Sequence, residues 1–227
     1  MNEYEIALEV AGPAAMFTRP DTGSTPISYP VPTSSTAKGI FDAVLRRPHI
    51  YVKPTRVEIC SPIRYERYVT NYGGPLRKLK DIKEKNSYQL IATILVDVCY
   101  RIYGEVKMKQ MSNRSKAVPQ MRRRRGQDWR PRFKELFDER LSRGLTFYTP
   151  CLGWKEFAAS YIGPFRDRDN FGQRIGPVTT GEIHIPAMLV SMWDHQQYKP
   201  SFGARWIVDG VMFFDQERPP KEVRDAE

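Results

Sequence analysis

The sequence predicts an α+β fold whose elements follow the order β, α, β, β, α, β, with a smaller β-rich extension at the end. The chain opens on Tyr4 to Val10, where apolar residues occupy every second position, as in a half-buried strand. Helical patterns follow at about 34–46 and again from Pro131, and β-rich segments lie between and after them. This order is that of a ferredoxin-like domain.

The first half of the chain contains one long loop, one helix and two extended segments. Residues 11–32 contain five prolines, which a helix interior does not tolerate, and predict an ordered loop. Thr33 or Ser34 then caps the first helix, and Pro48 ends it. A strand is predicted at 51–61 and a further extended segment at 63–69.

The second half alternates basic insertions with apolar segments. Residues 71–85 predict a turn and a basic protrusion, and residues 109–130 a polar, basic insertion. Between them, residues 89–108 are rich in strand-forming side chains. Further strands are predicted at 146–159, 181–193 and 205–214. The predicted domains are therefore 1–160, carrying both insertions, and a C-terminal β extension at 161–227.

The charge balance predicts a polyanionic partner. Lys and Arg total 36 against 26 acidic residues, which gives a net charge of +10 and a pI near 9.6. Residues 101–145 hold fourteen basic and five acidic residues, so this segment accounts for most of the surplus. Clustered cations bind nucleic-acid phosphates through counterion release. The alternative at this point is a soluble protein that is merely basic.

Other classes of protein are disfavoured. The three cysteines, Cys60, Cys99 and Cys151, form no CxxC pair, so neither a disulfide framework nor a metal site is expected, and no cofactor is implied. The N-terminal residues include early acidic groups and no basic stretch, unlike a signal peptide. No apolar run approaches the roughly 18 residues of a membrane span. We therefore expect a cytoplasmic protein that contacts no membrane.

Five motifs, in order along the chain, resemble one known family. The first two are Glu5–Gly12 followed by Met16–Pro20, and Ser28–Thr33 followed by Ala37–Ile40. The other three are Ser61–Arg64, Leu95–Tyr100 and Pro150–Phe157. Each motif is weak alone, but together they make the chain resemble the Cas5d family of type I-C CRISPR systems, closely up to Phe157 and more loosely beyond it.

This resemblance implies a RAMP protein, whose ferredoxin-like fold is related to RNA-recognition (RRM) domains. Family members grip the 5′ handle of CRISPR RNA and cap a filament of backbone subunits in the Cascade complex. They also contact the large subunit, so they meet target DNA only indirectly, through the complex. Type I-C members further cut precursor RNA without a metal, through a Tyr, a Lys and a His. This cleavage needs an acid, a base and a cation at the phosphate.

The family's catalytic set does not carry over to this chain. The tyrosine position falls on Leu45, and the Lys-His pair falls on Arg132 and Phe133. An alignment shifted by one residue gives Phe133 and Lys134, which again supplies no imidazole. The sequence therefore favours binding without cleavage and leaves any catalytic residues unknown.

The remaining candidates for catalysis are weak. The three histidines, His49, His184 and His195, lie away from the family's catalytic positions. Tyr29 lies in a family-matched motif before the first helix and is a weak catalytic candidate. Its alternative role is that of a packed aromatic whose hydroxyl binds a backbone group.

The residues expected to contact RNA are cations and one aromatic, because single-stranded RNA is bound through phosphate neutralisation and base stacking. In the first half they are Lys38, Arg46, Arg47, Arg64, Arg67, Tyr72, Arg77 and Lys78. In the central basic segment they are Lys107, Arg122, Arg123, Arg124 and Arg125. For Arg46 and Arg47 the alternative is a structural one, in which they complete a helix C-terminus.

Two other functions remain open at this point. One is a metal-independent endoribonuclease that uses a displaced set of residues to process precursor CRISPR RNA. The other is an unrelated basic RNA-binding protein that resembles the family by accident.

Overall fold

The computed structural model describes residues 4–48, 50–72, 78–84, 88–108, 129–169, 172–194 and 197–220. The strands are β1 (Glu5–Ala15), β2 (Ile50–Ile59), β3 (Tyr65–Tyr72), β4 (Tyr88–Met108), β5 (Tyr161–Gly163), β6 (Glu182–Asp194), β7 (Gln197–Val208) and β8 (Val211–Phe213). The helices are α1 (Ser34–Val44), α2 (Leu79–Lys83) and α3 (Arg130–Ser142).

One antiparallel sheet of eight strands organises the described residues. Its strands lie in the order β5-β1-β4-β2-β8-β7-β6, and β3 pairs with β4 off this path. The long strand β4 pairs with β1, β2 and β3 along different parts of its length. The prediction of an α+β fold with an antiparallel sheet and few helices is confirmed.

The helices α1 and α3 cover one face of the sheet. Ile6 and Leu8 of β1 are fully buried in the same core as Phe41 of α1 and Phe137 of α3, whose rings lie 5.9 Å apart. Because side chains alternate along a strand, Glu9 of β1 points to the opposite face. Of the two predicted caps for α1, Thr33 holds the position, since its hydroxyl accepts a hydrogen bond from the Thr36 N–H at 3.3 Å.

The strand predicted at 146–159 is wrong. This segment forms turns with a single bridge between Cys151 and Ala158. Gly153 has φ +95°, which breaks an extended strand, and a Cβ there would lie 1.9 Å from the Met16 carbonyl oxygen. The apolar Leu152 is fully buried and accepts a hydrogen bond from the Met16 N–H at 2.9 Å, so it packs as an isolated anchor.

Two other element boundaries also differ from the prediction. β1 continues to Ala15, so the proline-rich loop is shorter than residues 11–32. The strand predicted at 205–214 is two strands, because Asp209 and Gly210 both have positive φ and form a turn between β7 and β8. The division at residue 160 stays a prediction; β5, just beyond it, pairs with β1.

Candidate nucleic-acid interface

Three of the predicted RNA contacts lie on α1 or just after it. Lys38 is partly exposed and forms an ion pair with Asp42 one turn later, at 2.6 Å. Arg46 and Arg47 follow the helix and are exposed. Neither has a carboxylate partner among the residues that the structure describes, so their charges are available to an anion. The α1 C-terminus also attracts cations, which keeps the structural alternative open for both arginines.

Two aromatic residues that sequence reasoning missed lie beside these cations. Phe147 and Tyr148 are 55% and 45% exposed. The Tyr148 hydroxyl donates a hydrogen bond to the Gly39 carbonyl of α1 at 2.9 Å, and partial burial raises the pKa of this hydroxyl. The only sequence signal was the adjacent pair itself, which was assigned to the incorrect strand at 146–159.

The β3–β4 hairpin carries three further predicted contacts. Arg67 is exposed on β3 between the exposed side chains of Tyr65 and Val69. Arg64 lies just before β3 and forms an ion pair with Asp97 at 2.8 Å. Lys78 is exposed immediately before α2. The hairpin therefore presents cations beside the exposed ring of Tyr65, a residue that the sequence did not predict as a contact.

Some predicted contacts lie outside the described residues. They are Arg77 and the four arginines Arg122, Arg123, Arg124 and Arg125. Tyr72 ends β3, and its side chain is likewise outside the description. Lys107, near the end of β4, is exposed and forms an ion pair with Glu105 at 2.5 Å.

The sheet face opposite the helices holds a groove of about 1980 Å³. It is lined by four arginines and four acidic residues, Arg64, Arg101, Arg166, Arg174, Glu58, Asp97, Asp169 and Asp209. This mixture of charge gives no cationic surplus for a phosphate backbone. Some of the predicted RNA contacts have no carboxylate partner in the described part of the chain. These cations lie near α1 and on the β3–β4 hairpin, not in the groove.

A buried carboxylate fastens the described residues 164–169 and 172–178 over part of this face. Glu9 has no exposed surface and accepts hydrogen bonds from Arg101 Nε at 3.3 Å and Arg166 Nε at 2.7 Å. The Arg166 backbone N–H adds a third bond at 3.2 Å. Arg101 also donates to the carbonyl oxygens of Arg166 and Ile175, so Glu9 and Arg101 together tie both ends of the segment to the sheet.

Tyr103, an aromatic residue on this face, already contacts other side chains. Tyr103 of β4 packs edge-on against Phe165 at 5.5 Å, and the Arg56 guanidinium lies 3.7 Å from the Tyr103 ring centroid. Burial raises the pKa of Tyr103. Because Tyr103 is buried, with only 8% of its surface exposed, its ring offers no free surface for stacking a base.

Comparison with known proteins decides the family. The family described as CRISPR-associated protein (Cas_Cas5), of Cas5d type, matches residues 5–226. The chain belongs to the Cas5d family. A relative from Mannheimia succiniciproducens, named CRISPR pre-crRNA endoribonuclease Cas5d, is 30% identical over 69% of this chain and 71% of its own. A relative of the same name from Thermus thermophilus is 26% identical over 70% of this chain but spans only 64% of that protein.

Solved structures support the same fold for this Cas5d-family chain. A structure described as a CRISPR-associated protein has a TM-score of 0.63 at 19% identity and covers 94% of this chain and 92% of its own. A functionally uncharacterized protein from Streptococcus mutans, SMU1763c, also reaches 0.63 at 17% identity, with 94% and 93% covered. At these identities the likeness shows the fold alone.

The positions onto which the sequence resemblance maps the catalytic set hold side chains that do not face solvent together. Leu45 and Phe133 are 1% and 5% exposed and belong to the core. Arg132 is exposed at the start of α3. Lys134, the residue given by the shifted alignment, donates a hydrogen bond to the Glu5 carbonyl at 2.7 Å, so it links α3 to β1.

Tyr29 and His184, two other residues considered for catalysis, are held by contacts with neighbouring residues. Tyr29 is 1% exposed, and its hydroxyl donates to the Ala187 carbonyl at 2.7 Å, the structural role weighed for it from the sequence. Burial raises the pKa of Tyr29, which disfavours the phenolate that a general base requires. His184 of β6 stacks on Trp206 at 4.4 Å, while His49 and His195 lie outside the described residues.

The described residues contain neither a metal-binding cluster nor a membrane-spanning helix. No cluster of three or more His, Cys, Asp or Glu side chains suited to a metal occurs among them. Within the same part of the chain, no helix has the length and apolarity to cross a membrane.

Proposed function

We propose that this Cas5d-family chain binds the 5′ handle of CRISPR RNA within a Cascade surveillance complex and does not itself cut RNA. In this role it caps the filament of backbone subunits and contacts the large subunit, and it meets target DNA only through the complex. One observation carries the proposal: the family's catalytic positions hold the buried apolar residues Leu45 and Phe133, while exposed cations lie close by in sequence, at Arg46 and Arg47.

The fold supports this role. We infer that β5-β1-β4-β2, with α1 joining β1 to β2 and α3 preceding β5, forms a ferredoxin-like domain of the RAMP kind. The strand order and the placement of α1 and α3 on one face support this inference. The β6–β7 hairpin and β8 then extend the same sheet beyond β2.

The RNA surface that we propose runs from the end of α1 to the β3–β4 hairpin. Lys38, Arg46 and Arg47 supply cations at one end, and Arg64, Arg67 and Lys78 supply them at the other. The basic residues 109–128 add charge to the protein between β4 and α3. Phosphate contacts of this kind position RNA, and stacked bases supply sequence preference.

Binding and cleavage of one labelled repeat RNA test the proposal. With EDTA present, the purified protein should shift the RNA in a gel and leave its length unchanged. Products that end in a cyclic phosphate would refute the binding-only role, because they report attack of the 2′-hydroxyl within the RNA. Failure to bind the repeat RNA at all would refute the proposal as a whole.

Endoribonuclease activity is the second candidate, favoured by the names of the relatives from Thermus thermophilus and Mannheimia succiniciproducens. In this chain it would need a displaced acid and base, since position 45 is Leu and position 133 is Phe. If cleavage occurs, Tyr29→Phe and Lys38→Ala variants assayed in single turnover identify whether either side chain takes part. Unchanged rates in both variants would exclude them and direct the search to the basic segment 109–128.

Assembly provides an independent test of the Cascade role. Co-expression with the backbone and large subunits should yield one complex that contains this chain and CRISPR RNA. Recovery of the other subunits as a stable complex without it would contradict the capping role.

A further inference from the structure

Two adjacent aromatic residues lie exposed beside the end of α1. Phe147 is 55% exposed, and Tyr148 is 45% exposed. Leu145, two residues earlier, is 41% exposed on the same loop. Single exposed apolar side chains are common, but a contiguous group next to charged residues marks an interaction site.

A backbone hydrogen bond, a side-chain hydrogen bond and an arginine contact hold the two residues against α1. The Phe147 N–H donates to the Ala43 carbonyl at 2.7 Å, and the Tyr148 hydroxyl donates to the Gly39 carbonyl at 2.9 Å. The Arg140 guanidinium lies 4.3 Å from the Phe147 ring centroid and donates to the Val44 carbonyl at 2.7 Å. Rings fixed in this way lose little conformational entropy when a ligand stacks on them.

Gly39, in the middle of α1, provides an independent observation. A helical glycine costs roughly 1 kcal/mol relative to alanine, so a helix keeps one only for a specific reason. Packing gives no such reason here, because a Cβ at Gly39 would meet no atom within 4 Å. The open space beside Gly39 allows a ligand to approach the helix backbone closely. The Gly39 carbonyl also accepts the hydrogen bond from the Tyr148 hydroxyl.

The charges around the rings identify the class of ligand. Asp42 and Arg46 lie on either side of Ala43 in the chain, and the Ala43 carbonyl accepts the hydrogen bond from the Phe147 N–H. Asp42 is paired with Lys38, whereas Arg46 has no carboxylate partner in the described part of the chain. Exposed rings beside unpaired cations suit single-stranded nucleic acid, whose bases stack while its phosphates are neutralised.

We propose that Phe147 and Tyr148 form a stacking platform for a base of the bound single-stranded RNA, with Arg46 on the adjoining phosphate. Gly39 leaves the backbone open to that nucleotide. This inference rests on the proposed RNA-binding function and adds to it two aromatic side chains that the predicted contacts do not include.

Fluorescence anisotropy with a labelled repeat RNA tests the platform. Phe147→Ala should weaken binding roughly tenfold, the loss typical of one stacked base. Phe147→Tyr keeps the ring and should bind nearly as the wild type does. Phe202→Ala is the matched control, because Phe202 is 49% exposed on β7 and should contribute nothing.

Gly39→Ala separates a binding role from a structural one. The added methyl group stabilises α1, so the melting temperature should rise, yet RNA binding should weaken several-fold because the methyl group occupies the approach. A variant that gains stability and loses affinity cannot owe its loss to misfolding.

Photocrosslinking gives a direct readout. RNA that contains thiouridine should crosslink to the tryptic peptide 144–155, which includes both rings.

The outcomes distinguish the proposed RNA-binding function from the proposed stacking platform. If the wild type binds no repeat RNA, the proposed function and the platform both fail. If the wild type binds, but Phe147→Ala and Gly39→Ala bind equally well, the platform alone is overturned. If Phe147→Ala keeps its RNA affinity and instead loses association with the backbone subunit, the surface is a protein interface and the platform is again refuted.

Discussion

Replacing the buried carboxylate of Glu9 by an amide should loosen residues 164–178 and destabilise the fold. Glu9 accepts three hydrogen bonds, two of them from the guanidinium groups of Arg101 and Arg166. In Glu9→Gln one oxygen becomes an NH₂ group, which faces an arginine instead of accepting from it. The two arginines then share a site that no longer carries a negative charge.

The contacts of Glu9 set the size of this effect. One lost charge-assisted hydrogen bond accounts for about 1.5–3 kcal/mol. Breaking a buried ion pair on one side costs about 3–5 kcal/mol. Because the side chains of Arg101 and Arg166 keep 15% and 24% exposure, water offsets part of the loss. We expect a decrease of about 3 kcal/mol in the free energy of unfolding, or roughly 6–12 °C in Tm.

Urea unfolding followed by tryptophan fluorescence measures this change. Hydrogen exchange of residues 164–178 should rise in the same variant, because the segment loses its attachment to the sheet. Glu66→Gln is the matched control, since Glu66 is exposed on β3 and its amide should change stability by less than about 0.5 kcal/mol. If Glu9→Gln also stays within that range, the attachment role assigned to Glu9 is wrong.

Three further predictions concern separate parts of the molecule. Gly153→Ala should destabilise the fold by more than about 2 kcal/mol in urea unfolding, because its φ is +95° and its Cβ would meet the Met16 carbonyl. Above pH ~10 the buried Tyr100, whose pKa is raised by burial, keeps its proton while the unfolded chain loses it. Stability should therefore fall by up to about 1.4 kcal/mol per pH unit, and Tyr100→Phe should reduce this slope. Replacing Arg46 and Arg47 by Ala should lower the salt dependence of RNA binding by about one per lost phosphate contact.

Each of these has its own control. Gly176→Ala should be nearly neutral, since Gly176 has neither a positive φ nor an atom within 4 Å of its Cβ. For the RNA measurement, Lys53→Ala should leave the salt slope unchanged, because Lys53 lies on β2 in an ion pair with Asp215. An alkaline slope that is the same in Tyr100→Phe as in the wild type would show that other groups cause it.

The sequence predicted the elements in which apolar residues recur at regular intervals. β1 alternates with period two, and α1 is bounded by Thr33 and Pro48, so both were located to within a few residues. The strand predicted at 146–159 was wrong because the apolar residues of this segment pack as isolated anchors and do not form a strand. Leu152 packs under β1, and Gly153 turns the chain at a contact with Met16 that no local pattern records.

The cations of the candidate site could be predicted from the sequence, whereas its aromatic residues could not. Arg46, Arg47 and Lys38 could be placed because they flank a recognisable helix. Phe147 and Tyr148 reach the same surface only because their loop hydrogen-bonds to the carbonyl groups of Ala43 and Gly39, about one hundred residues earlier. Contacts over such a separation depend on the tertiary fold, which the sequence pattern alone does not give.

The pairing of β1 with β4 also constrains how the chain is made. Glu5 pairs with Glu105, 100 residues later, so β1 leaves the ribosome long before its central partner exists. Closing such a long loop slows folding, and the unpaired strand exposes apolar side chains during that interval. A chain truncated before β4 would keep β1 without either of its neighbours, because β5 lies later still. β1 is therefore synthesised well before both of its partner strands and stays unpaired until they emerge.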